Sequence, residues 1–146
     1  MRSLILSILA LFACVANLSA QYQVSVIGSK DDTVILRSVG QGKNAKKAAA
    51  DAELSAIEYV LYVGCSGTKY SMPLIQESKN VIEERHSFFN SFKDGGYRDF
   101  IESSAIAVPF GKNGLKQKSI TLDIGIRVKQ LREYLEKNGI IRKFGL

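Results

Sequence analysis

The chain has 146 residues, 46% of them hydrophobic, with 20 Lys and Arg against 14 Asp and Glu for a formal net charge of +6, and it holds one histidine and two cysteines. Its length suits one ordinary domain, which can bury roughly two-thirds of its unfolded surface without disulfide or metal staples. So few His and Cys fall short of a closed four-ligand metal site, and no metal or cofactor is expected.

The chain opens MRSLILSILALFACVANLSA. One arginine, a short apolar stretch from Leu4 to Val15 and small residues before Ala20 form the three-part layout of a secretory signal peptide. The stretch is shorter than the ~20 residues of a membrane span. Two processing routes fit. Cleavage after Ala20 leaves Gln21 as the mature N-terminus, whereas Leu11-Phe12-Ala13-Cys14 read as a lipobox makes Cys14 a candidate lipid anchor. Either route sends the protein to the periplasm or cell surface; the first makes residues 1–20 the leader, and 21–146 are read as a single domain. After the leader only Cys65 remains, so an intramolecular disulfide is excluded and a buried thiol is expected.

Residues 23–28 and 34–40 are β-rich and flank Ser29-Lys30-Asp31-Asp32, a polar cluster suited to a hairpin turn. From 44 to 63, Ala45, Ala49, Ala52, Ala56, Val60 and Val63 recur at spacings of three and four, the stripe of an amphipathic helix. Asn44 is placed to cap it and Gly64 to stop it. The small alanines predict a helix lying flat on a sheet.

Residues 64–77 read as a loop broken by Gly67 and Pro73. One further helix is expected, with Val81, Phe88, Phe89 and Phe92 inward, an Asn80-x-x-Glu83 capping box and an end at Asp94-Gly95-Gly96. Tyr97, Phe100 and Ile101 carry apolar bulk into the next element. Ile106, Val108 and Phe110 alternate, and Ile120, Leu122, Ile124, Ile126 and Val128 alternate without a break, so two half-buried strands are expected around the 111–114 turn. A last helix over 129–137 turns Leu131 and Leu135 inward and stops at Asn138-Gly139. The order ββααββα predicts an α+β fold, an antiparallel sheet with helices packed on one face.

Gly40, Gly42 and Ala45 fit G-x-G-x-x-G/A, the loop that cradles a pyrophosphate. The next requirement, a second parallel strand with an acidic ribose partner about 20 residues on, is unmet, because residues 60–64 still belong to the helix. Lys43 is followed by Asn44 rather than Ser or Thr, so a P-loop fails as well. The glycines are read as a sharp strand-to-helix corner, with Gly42, Lys43 and Asn44 kept as a candidate anion contact at the helix start. Cys65 follows a helix C-terminus, where the dipole disfavours a thiolate, so a Cys65/His86 nucleophile pair is not expected. His86, Glu83 and Glu84 read as surface groups. The basic residues are scattered, with only Lys46-Lys47 and Arg142-Lys143 adjacent, and show no interleaving with aromatics, so nucleic acid is not an expected partner.

The strand, Gly40-x-Gly42, alanine-spaced helix (Ala45, Ala48, Ala49, Ala52, Ala56) and late hairpin resemble the N-terminal domain of flagellar assembly protein T and related surface lipoproteins. Pro73-Leu74 through Phe88-Phe89, Phe92 and Asp94-Gly95-Gly96-Tyr97 resemble uncharacterised exported proteins of Gram-negative bacteria. The resemblance implies a periplasmic or surface module that assembles with other proteins, with no catalytic residues to carry over. The leading expectation is therefore a non-enzymatic exported module that contributes to an envelope or surface complex, by contact with envelope proteins or with itself. The alternative is a periplasmic binding module for a small ligand or cell-wall polymer, with Lys69, Tyr70 and Met72 as its contacts.

Overall fold

The computed structural model describes residues 22–114 and 116–143. The leader, its Ala20/Gln21 junction and Cys14 lie outside the described residues. In chain order the elements are β1 (Val24–Lys30), β2 (Thr33–Gln41), α1 (Ala45–Tyr62), α2 (Lys79–Arg85), α3 (Phe88–Lys93), a 3-10 turn (Gly96–Phe100), β3 (Ile101–Lys112), β4 (Lys118–Arg127) and α4 (Val128–Lys137). They form an α+β fold around a four-stranded sheet of order β1-β2-β4-β3, every pair antiparallel. Among the described residues no helix is long and apolar enough to cross a membrane.

The α1 helix lies across β2 and β4, and small residues let it do so closely. Val34, Leu36 and Ser38 on β2 are fully buried, and so are Ala48, Ala52 and Ala56 on α1. A Cβ on Gly40 would fall 2.0 Å from the Ala48 carbonyl oxygen and 2.4 Å from the Ala52 nitrogen, and one on Gly42 would fall 2.6 Å from the Ala48 nitrogen. Neither approach can be accommodated without moving the helix, so both glycines are there for contact rather than for an unusual φ. The Asn44 side chain caps the helix by accepting from the Lys47 N–H at 2.9 Å, and Gly64, at φ +91°, turns the chain away after it. The buried stripe starts at Ala48 instead of Ala45, and Val63 is exposed.

The expected second helix is two helices, so the order is ββαααββα. His86 takes extended backbone (φ −120°, ψ 113°) between α2 and α3, and this rotates the two apolar faces relative to each other. Ile82 is then the buried residue of α2, and Val81 is exposed. The Asn80 capping box is replaced by Ser78 at the N-cap position, without a side-chain bond. Downstream, Phe88, Phe92, Phe100 and Tyr134 join α3, the 3-10 turn and α4 in one aromatic cluster, with ring centroids 5.1–6.3 Å apart along Phe88–Phe92, Phe92–Phe100 and Phe100–Tyr134. Leu131 and Leu135 of α4 are fully buried, and Gly139 ends that helix at φ +70°.

The strands of the last hairpin differ in environment. Ile120, Leu122, Ile124 and Ile126 of β4 are buried as their alternation predicts, but on β3 Ile106 is 65% and Val108 55% exposed. Both β4 flanks are paired, whereas β3 is an edge beyond the reach of α1. β3 runs on through Gly111 and Lys112, so the strands part later than the expected 111–114 turn, with the Asn113 N–H donating to the Gln117 carbonyl at 2.8 Å.

Candidate functional site

Three places bring chemically capable groups together. The first is the loop after α1. The carboxylate of Asp32, in the β1–β2 turn, accepts from Lys69 Nζ at 2.6 Å and from the Tyr70 hydroxyl at 2.9 Å. These two bonds hold its carboxyl below the usual value, and the first of them raises Lys69. The Asp32 carbonyl also accepts from the Val128 N–H at 3.0 Å, so one residue ties the turn, the loop and the start of α4. Lys69, Tyr70 and Met72 do share a cavity, of about 320 Å³, with Leu74 and Arg132. That volume is at the lower limit for a small-molecule site. The polar ends of Lys69 and Tyr70 are engaged by Asp32, and Met72 is 66% exposed.

The second is a charged cluster inside the helical layer, which the sequence reading missed. Glu58 of α1 is only 8% exposed. It accepts from Lys79 at 2.8 Å and lies 3.4 Å from Lys93, which also pairs with Glu83; Glu83 accepts from the Tyr62 hydroxyl at 2.9 Å. Burial, reinforced by these carboxylates, pushes the Tyr62 and Tyr22 phenols well above their ordinary value. Two carboxylates matched by two ammoniums hold α2 and α3 on α1, and Glu83 is thus drawn inward rather than left on a wet surface. His86 is half-buried at the helix break. Cys65 is fully buried, and desolvation lifts its thiol to about 11, so it is a core thiol and not a nucleophile.

At the start of α1 two of the N–H donors an anion would approach are engaged within the chain. The Gly42 N–H donates to the Lys118 carbonyl at 3.3 Å and the Lys47 N–H to Asn44. The Asp51 carboxylate accepts from the Gln41 N–H at 2.9 Å, placing a negative charge where an anion would approach. Lys43 and Asn44 are exposed beside it.

The third is the β3 edge. Residues 102–109 are all exposed, and from Ser103 to Gly111 the strand carries no charge. This uncharged stretch of the twelve-residue strand offers backbone N–H and C=O groups to another strand. Its register against β4 shifts between Ile101 and Ser103, between Ile106 and Val108, and between Val108 and Gly111. Those bulges and Pro109 give the edge a defined shape and interrupt a long uniform ladder. Register sets Ile106 beside Leu122, on the helix side of the sheet, and Val108 beside Thr121, on the open side. The open side also carries Val39, likewise beside Thr121, and Ile35, beside Gly125, and is crossed at its centre by Arg37, which donates two 2.8 Å bonds to Asp123. The opposite edge, β1, is shorter at 7 residues, is bulged between Val26 and Gly28 and ends in Lys30.

Fold and site together define an α+β module whose longer sheet edge, β3, is exposed and uncharged from Ser103 to Pro109. No protein-family model matches the chain, and neither a curated protein nor a solved structure was found to be similar to it.

Proposed function

We propose that the protein is a non-enzymatic exported module that contributes to an envelope or surface protein complex, and that β3 is the surface through which it docks. The observation that carries this reading is the β3 edge, exposed over residues 102–109 and uncharged from Ser103 to Gly111, with Ile106 and Val108 presenting apolar side chains to solvent. An exposed edge with unpaired backbone groups is a template for another strand, and the bulges and Pro109 restrict where along β3 a partner can pair. The inward-drawn ionisable groups support a non-enzymatic reading, because Glu58, Glu83, Lys79 and Lys93 are matched to one another. The leader at residues 1–20 supports export, and the resemblance to small exported assembly proteins points the same way.

The alternative, a periplasmic binding module for a small ligand or cell-wall polymer, draws on the cavity shared by Lys69, Tyr70 and Met72. Its small size and the engagement of two of those side chains by Asp32 favour the assembly reading. Crosslinking of the envelope fraction tests the choice. The wild-type protein should be recovered in larger products that an Ile106→Lys, Val108→Lys variant loses while keeping its circular-dichroism spectrum. Recovery of the wild type only as monomer would overturn the assembly reading.

A further inference from the structure

Resting on β3 as the docking edge, we infer that its partner is β3 of a second copy, paired antiparallel across a twofold axis normal to the sheet. The strand is complementary to itself in charge. Glu102 stands near its start and Lys112 at its end, with nothing charged between. Antiparallel pairing sets the Glu102 end of each copy beside the Lys112 end of the other, whereas parallel pairing sets like on like. Opposite charges across strands are favourable and like charges unfavourable. The complementarity extends past the strand. The hairpin tip adds Lys116 and Lys118, and no acidic residue occurs between Glu102 and Asp123, while Asp99 lies just before Glu102.

Geometry agrees with charge. A twofold normal to the sheet continues it to eight strands in the order β1-β2-β4-β3-β3-β4-β2-β1 and leaves both helical layers on one side. Ile106, on the helix side next to Leu122, and Val108, on the open side next to Thr121, then flank the junction on its two faces. Both lose the solvent exposure that no element of their own chain removes. Such an isologous contact uses β3 in both copies and closes on itself. The remaining edges are the two copies of β1, each 7 residues long against the 12 of β3.

Sedimentation velocity of the purified full chain tests the inference with Glu102→Lys, Lys112→Glu and the two combined. Both substituted positions are solvent-exposed, and circular dichroism checks that each of the three variants is folded. The wild type is expected to dimerise. Each single reversal turns two attractive pairs into two repulsive ones and should weaken the dimer about tenfold. The combined variant restores opposite charges and should return to within about threefold of wild type, with the differences shrinking in 1 M salt. A monomeric wild type, a dimer indifferent to the reversals, or losses that add in the combined variant would overturn self-pairing. If the wild type is monomeric in solution yet β3-dependent envelope crosslinks to another chain persist, self-pairing fails and the assembly reading stands. If those crosslinks are absent too, both fail.

Discussion

The hydroxyl of Ser38 donates a 2.8 Å hydrogen bond to the carbonyl oxygen of Ala52, and both residues are fully buried. A strand and a helix are seldom close enough for so short a side chain to bridge them; here glycine at 40 and alanine at 48 and 52 make the approach. The bond supplies the one polar group on the helix side of β2 with a partner. Ser38→Ala removes it while leaving the Ala52 carbonyl in its helix, and should cost about 1 kcal/mol in urea unfolding. Gly40→Ala should cost more, about 2–4 kcal/mol, because the added methyl overlaps the helix backbone itself. Equal effects of the two would contradict the close-packing account.

Cys65 gives a second prediction. Buried, and with a thiol raised to about 11, it should react with a thiol-specific reagent at pH 8 only at the rate of opening or unfolding. Reaction in native buffer as fast as in denaturant would place the thiol at the surface.

The Glu58 cluster should behave as a strut. Its carboxylate has a side chain 10% exposed, and its lysine partners are 26% and 31% exposed. Removing one member of a buried pair is strongly destabilising, but partly exposed lysines can recover water. Glu58→Ala is therefore expected to cost about 2 kcal/mol. The loss should appear as protease sensitivity around α2 and α3, at 79–93, before the sheet is affected.

Asp32 supplies a pH dependence. Its carboxyl is held below the ordinary value by bonds from Lys69 and Tyr70. A group depressed in the folded state contributes stability that is present above its unfolded pKa of about 3.9 and is lost as pH falls through the folded value. The difference in melting temperature between wild type and Asp32→Asn should thus be present at pH 7 and shrink below about pH 4. A difference that stays constant down to pH 2 would contradict the assignment.

Much of the fold was legible because period encodes element type. The unbroken alternation from Ile120 to Val128 located β4, and the alanine spacing located α1 with its Asn44 cap. Alternation does not encode coverage: Ile106 and Val108 repeat as Ile120 and Leu122 do, yet only β4 lies beneath α1. The break at His86 carries no Pro or Gly, so two helices read as one, and the rotation between them exposed Val81 and buried Ile82. Of the candidate ligand contacts, Lys69, Tyr70 and Met72 do meet in one cavity, but their engagement depends on Asp32, 37 residues earlier than Lys69. Glu58 shows why charged clusters are hard to foresee. Nothing local distinguishes it from a wet glutamate until Lys79 and Lys93 arrive from two other helices.

Site-specific photo-crosslinking in cells tests most directly whether β3 is the docking surface. A photoreactive residue placed at Ala105, in the regular part of β3, is compared with one at Lys46, exposed at the start of α1. The account predicts a discrete larger product from position 105 and none from position 46. No product from 105, or the same products from both, would contradict it.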